Sequence, residues 1–367
     1  MAKTENKKHA PLFHIVKRDK EALAWYARIL IRAAAVVSAL IVSGVLITLL
    51  SGKNPIAVYG SMISGVFGTP RRIWNALQAL AMLLCVSLAI TPAFKMRFWN
   101  IGAEGQVLVG GLACISVMMF LGDKTPLPLL LVVMLAASVL ASVIWAILPA
   151  IFKAFWNTNE TLFTLMMNYV ATQLVAYYLK VFVKDGSGVL TPMPQYGLPV
   201  IGGQAYLLNV LTVLVLTLVV FVYLRYSKQG YEIAVVGESE NTARYIGINV
   251  KKVVIRTMVV SGAICGLAGL LLVGGTNHTI STTTVGGRGF TAIMVSWLAK
   301  FNPLYMILTA FLVVFLEKGA QQVSTEFRVP TAISDIITGI ILLFIIGCEF
   351  FLQYKVVMSK RAKEEAA

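Results

Sequence analysis

The sequence predicts an all-α polytopic membrane protein with about ten transmembrane segments, one of them short or re-entrant, and both termini cytoplasmic. Three observations lead there. Of 367 residues, 58% are hydrophobic and only 13% are charged, whereas an ordinary soluble domain carries about 25% charged residues. The apolar residues fall in blocks of about 20, the length a helix needs to cross a hydrocarbon core of roughly 30 Å. The basic residues stand at the flanks of those blocks, where positive charge keeps a loop in the cytoplasm.

The apolar segments run over residues 29–50, 74–94, 101–122, 127–152, 161–183, 205–225, 253–275, 289–300, 303–321 and 333–353. Backbone groups in lipid must be satisfied within the segment, so these are helices. Segment 289–300 is too short to cross alone; it is either a tilted, broken span or half of a re-entrant hairpin with 303–321. The transmembrane domain so bounded is 28–354, between an N-terminal tail (1–27) and a C-terminal tail (355–367). With the N-terminus inside, 22 of the 31 Lys and Arg residues fall on the cytoplasmic side and nine outside, Arg288 being counted among the nine. The opposite orientation would reverse that ratio.

A net charge of +15 could suggest nucleic acid, but no long soluble basic domain exists to bind it, and no nucleic-acid partner is expected. Cys85, Cys114, Cys265 and Cys348 lie in or beside apolar runs without a CxxC pair, which reads as buried free thiols. The histidines His9, His14 and His278 form no metal pattern.

Two connections are longer than the rest. Residues 184–204, rich in Pro and Gly, are placed outside. Residues 226–252 are placed in the cytoplasm, and "SENTARYIG" within them has the punctuation of one short helix. Ser239 can accept a backbone N–H as its N-cap, and Gly247 supplies a left-handed residue after its end. About two turns of helix are not stable alone in water, so Tyr245, Ile246 and Ile248 need something to pack against. A plain capped loop helix on the membrane surface is the alternative.

Gly237-Glu238, Ala243-Arg244-Tyr245 and Gly247-Ile248-Asn249, followed by a basic cluster and a span, resemble the coupling loop of ABC importer permeases of the simple sugar and nucleoside branch. The acidic-Ala-Ala signature of that loop is degraded here to Glu240-Asn241-Thr242-Ala243. Three further stretches resemble the nucleoside-type members in the same order: "NIGAEGQ" (100–106), "NETLFTLMMNYVA" (159–171) and "GRGFTAIMVSWLAKFNPL" (287–304). The resemblance implies that Glu240, Ala243, Arg244, Tyr245, Ile246, Gly247 and Ile248 contact an ATPase subunit. It also implies a second homologous permease, forming a heterodimer in which this chain is the larger member, and an external substrate-binding lipoprotein. Residence in the lipid of a bacterial cytoplasmic membrane follows too. No GxxxxGK[ST] sequence is present, so the chain is expected to bind no cofactor of its own, ATP and Mg belonging to the ATPase.

"NIGAEGQ" admits two readings. In the structural one, Asn100 caps a new helix, Glu104 sits in its first turn where the helix dipole favours an acid, and Gly102, Gly105, Gly110 and Gly111 allow close packing. In the functional one, Glu104 and Gln106 face a substrate pathway. Asn168 and Tyr169 in mid-span, and Trp74, Asn75 and Gln78 near the outer face, offer the amides and aromatic rings that suit a neutral nucleoside or sugar. An ion-coupled secondary transporter would instead use embedded acids, for which Glu104, Glu317 and Asp335 are candidates. A membrane enzyme would need clustered ligands or a nucleophile motif that the sequence lacks.

Overall fold

The computed structural model describes residues 13–17, 25–183 and 190–358. Most of the N-terminal tail, residues 184–189 of the outer loop, residues 359–367 and the Asp335 side chain lie outside the described residues. In chain order the elements are strand β1 (Phe13–Lys17), then helices α1 (Trp25–Ser51), α2 (Pro55–Phe67), α3 (Pro70–Lys95), α4 (Ala103–Leu121) and α5 (Leu127–Trp156). There follow α6 (Glu160–Phe182), α7 (Leu207–Tyr226), α8 (Lys228–Glu238), α9 (Glu240–Tyr245) and α10 (Val250–Leu272), which a π turn extends over Val273–Asn277. The chain closes with α11 (Arg288–Leu298), α12 (Pro303–Phe327), α13 (Thr331–Gln353) and strand β2 (Tyr354–Met358).

Among the described residues, six helices are long and apolar enough to cross a membrane: α3, α4, α5, α7, α10 with its extension, and α12. Apart from the helices, the two terminal strands pair antiparallel, from Phe13 opposite Met358 to Lys17 opposite Tyr354. Two helices were not foreseen. α2 opens on Pro55, a favoured first helical residue, with the Asn54 side chain accepting the Ile56 N–H at 2.9 Å. α8 is capped by Ser227, whose Oγ accepts the Gly230 N–H at 2.9 Å. Its two glycines read as breakers, yet Gly237 is a contact point: a Cβ there would stand 2.1 Å from the Lys95 carbonyl oxygen.

The chain forms two compact units, residues 67–315 and a second one made of the described residues up to Val66 with those from Leu316 on. In the second unit α1 packs on α13. There α2 meets the end of α12 closely, with a Cβ on Gly65 falling 2.6 Å from Gln322 Cβ and the Ser61 hydroxyl donating to Glu326 at 2.6 Å.

In the first unit, α10 lies against α3, α4 and α5. Small residues on α10 make this approach possible. A Cβ on Gly266 would meet Ser138 O at 2.6 Å, and one on Gly269 would meet Gly111 N at 2.6 Å. The Ser138 hydroxyl on α5 donates towards Gly110 O (2.7 Å) and Gly266 O (2.9 Å), tying all three helices at one point. Gly266→Val should therefore separate α10 from α5 and destabilise the fold by about 1–3 kcal/mol. A thermal unfolding transition in detergent that does not move would refute this packing.

Candidate functional site

The connection between α3 and α4 is where three of the four sequence motifs meet. α4 begins at Ala103 after Gly102, and no side chain caps it. Asn100, expected to be that cap, has turned inwards one step earlier. Its Oδ1 accepts the Gly102 N–H (3.0 Å) and Gln106 Nε2 (3.2 Å), while its Nδ2 donates to Gln106 Oε1 and to Ser261 Oγ on α10, both at 3.3 Å. Asn100 and Gln106 are 0% and 1% exposed, so this pairing of two amides satisfies polar groups that burial would otherwise penalise.

The second motif supplies the missing cap. Asn168 on α6 accepts the Gly105 N–H at 2.8 Å and donates to Ile101 O at 2.9 Å; Thr164 one turn earlier accepts the Ile101 N–H at 3.2 Å. An orphan donor of one helix is thus satisfied by a side chain from another. The approach needs glycine, since a Cβ on Gly105 would lie 2.9 Å from Asn168 Oδ1.

The third motif explains the acid. Glu104 stands in the first turn of α4, as the structural reading has it. Its carboxylate also reaches a second helix: Oε1 accepts the Gly287 N–H at 2.8 Å and Oε2 the Gly289 N–H at 2.7 Å. The carboxylate therefore caps α11, at a helix N-terminus that favours negative charge. Gly287 adopts φ 76°, a left-handed conformation, and a Cβ on Gly289 would stand 2.5 Å from Glu104 N. Arg288, flanked by these two glycines, consequently sits beside the start of α4. Its count among the outer residues and a cytoplasmic start of α4 do not go together, because the chain after α10 has turned back to that start.

The remaining candidates do not assemble into one site. Gln78 is buried and belongs to a cluster that the sequence did not reveal: its Nε2 donates to Thr276 Oγ1 in the π turn, and its Oε1 accepts Asn209 Nδ2 of α7 at 3.3 Å. An Asn in the first turn of an apolar span was the available signal for Asn209. Trp74 is half-buried and Asn75 exposed, one turn before Gln78 on α3 and without a hydrogen bond to that cluster among those described, and Tyr169 is 62% exposed while its neighbour Asn168 is buried. Glu317 is exposed on α12. Among the described residues no group of His, Cys, Asp and Glu could hold a metal ion.

The second surface of interest is α9. Ser239 Oγ accepts the Thr242 N–H at 3.2 Å, and Gly247 takes φ 84° while Ile248 N donates back to Ala243 O at 2.9 Å, so both expected punctuation marks are present. The helix is held from beneath: Ala243 is 0% exposed, and a Glu232–Arg256 ion pair of 2.7 Å ties α8 to α10. Glu240 and Arg244 pair at 3.3 Å along the helix, and Ile248 is half-buried. Tyr245, however, is 92% exposed and Ile246 51% exposed. Two large apolar side chains thus project from this capped helix, uncovered by the described residues.

Known proteins resemble this chain over most of its length. Residues 72–346 match the family described as branched-chain amino acid transport system / permease component. A glucose ABC transporter permease protein of Haloferax volcanii is 29% identical over 88% of this chain and 88% of its own length. A guanosine ABC transporter permease protein of Bacillus subtilis is 28% identical over 83% of this chain and 89% of its own length. A nucleoside ABC transporter permease protein of Lactococcus lactis subsp. cremoris is 26% identical over 88% of this chain and 92% of its own length. The matched region runs from α3 into α13 and contains every motif of the junction and of α9, so the chain belongs to this permease family and is a multi-pass membrane protein.

Proposed function

We propose that this chain is a membrane-spanning subunit of an ATP-driven importer that takes up nucleosides, with a simple sugar as the alternative cargo. The observation that carries the proposal is α9, a capped helix presenting Tyr245 and Ile246 uncovered; such exposed anchors fit a partner groove. Two of the three relatives named above carry nucleoside or guanosine in their names and one carries glucose, which favours the nucleoside and keeps the sugar as its rival. ATP and Mg act on a separate ATPase subunit, cargo arrives from an external binding lipoprotein, and a second, homologous permease completes the membrane core.

The topology belongs to the same proposal. Nine helices (α1, α3 to α7, α10, α12 and α13) and one broken return over residues 278–299 make ten crossings, with α8 and α9 in the cytoplasm. The pairing of β1 with β2 supports an even number, since it brings residues 13–17 and 354–358 to one side.

Uptake of labelled guanosine by proteoliposomes holding this chain and its operon partners tests the proposal. Uptake should persist with the proton gradient collapsed and vanish when the phosphate-binding lysine of the ATPase is replaced. Transport that follows the proton gradient would point to an ion-coupled carrier, and competition by ribose but not by nucleosides would favour the sugar.

A further inference from the structure

The return from α10 to α12 is not a plain helix. α10 runs parallel to α4, with Gly266 against Gly110, Gly269 against Gly111 and Gly274 near Cys114. Residues 278–287 then turn back without α-helical structure, roofed by the preceding loop, where Met193 N donates to His278 O at 2.9 Å and Leu198 N to Gly274 O at 2.8 Å. The end of the Ile280 side chain (Cδ1) reaches within 3.8 Å of where a Cβ on Gly111 would be, and the Gly287 and Gly289 backbone lies beside Glu104. The irregular stretch therefore runs alongside the first half of α4.

α4 is a ruler for depth. Its 19 residues rise about 28 Å, close to the thickness of the hydrocarbon core of about 30 Å. The stretch between Ile280 and Gly287 thus lies within that core. Lipid cannot satisfy open backbone groups, so non-helical chain at this depth must be buried in protein or line a water-filled space. It is not fully buried: Thr282, Thr283 and Gly286 are exposed, as is Phe290 on the first turn of α11. The contrast with α7 is direct, because its exposed residues from 211 to 222 are all Leu or Val, the composition of a lipid-facing surface.

We propose that Thr282, Thr283 and Phe290 form part of the wall of the substrate passage, on the broken return between α10 and α11. Hydroxyls beside an aromatic ring suit a neutral, hydroxylated, ring-bearing solute, which deepens the proposed function and rests on it. Ser281 Oγ lies 3.2 Å from Thr283 Oγ1 and 3.3 Å from Thr284 Oγ1, so the hydroxyls are held in a turn of their own. Glu104 anchors the lower end of this wall without itself needing to touch the solute.

The test uses single cysteines at Thr282 and Thr283 in the complete transporter, with Leu218→Cys on α7 as the lipid-facing control. The four native cysteines are buried, so they leave a low background. A charged, water-soluble methanethiosulfonate should modify T282C and T283C at least about tenfold faster than L218C, and saturating guanosine should slow the reaction. Thr283→Val should raise the KM for uptake about 2- to 10-fold, the worth of one hydrogen bond. Labelling only by a lipid-soluble maleimide would place the segment against lipid, and no labelling at all would mean it is covered; either overturns the proposal. Modification that neither guanosine nor ribose slows would mean water but no passage of cargo, and overturns it too. These outcomes stay separate from the function itself, which the ATP dependence of uptake reports: an importer with an ATP requirement and an unreactive T283C would retain its function and lose this passage.

Discussion

Replacing Glu104 with Ala should release α11 from α4 and abolish uptake. The carboxylate accepts two backbone N–H groups, from Gly287 and Gly289. Each donor left without an acceptor costs roughly 1–3 kcal/mol when water does not replace it, and the half-buried junction places the loss towards the lower end of that range. Glu104→Gln keeps one oxygen and presents an NH2 group to the other donor, so its loss should be intermediate. Gly289→Ala should reproduce the alanine phenotype by another route, because its Cβ would stand 2.5 Å from Glu104 N, a backbone atom that cannot rotate away. Thermal unfolding of the purified complex, paired with guanosine uptake, reads all three variants. Wild-type unfolding for E104A would show that the capping contributes nothing. Wild-type unfolding with an altered KM for E104Q would favour the pathway role over the structural one.

The double variant Tyr245→Ala/Ile246→Ala should lose the ATPase while the permease remains folded. Buried apolar anchors dominate most interfaces, and truncating such a residue typically costs about 1–3 kcal/mol of binding. The same side chains are 92% and 51% exposed in the isolated chain. Their removal should therefore change the unfolding temperature little, as for other surface substitutions. Gly247→Val should also weaken docking, because φ 84° is poorly tolerated by a β-branched residue and the end of α9 would be displaced. Co-purification of the ATPase subunit and its stimulated ATP hydrolysis in proteoliposomes are the measurements. If the double variant keeps both at the wild-type level, α9 is a surface turn and its coupling role is wrong.

Much of the architecture was legible in the sequence because its causes are local. Apolar length specifies a helix that can cross lipid, and six of the expected segments reappear as helices of sufficient length and hydropathy. Capping is equally local: Ser239 needs only the Thr242 N–H three residues on, and Gly247 only its own φ. Close packing through small residues was visible for the same reason at Gly102, Gly105, Gly110 and Gly111, where an added Cβ would meet a neighbouring helix. α2 escaped because 13 residues fall below a spanning length, and α8 because glycines that accommodate a neighbouring backbone look like glycines that break a helix.

The sequence by itself thus determined a helical membrane chain, its approximate segments, the capped helix α9 and the motifs worth watching. Only the tertiary structure decided what the motifs do to one another. Asn100, Glu104, Asn168 and Gly289 are separated by up to 189 positions, yet they close one junction, in which α6 caps α4 and α4 caps α11. A side chain's local spacing can show that it is able to accept a hydrogen bond, but not from which helix the donor comes. Low dielectric favours a partner for each buried polar group, and the identity of that partner is a property of the packed bundle.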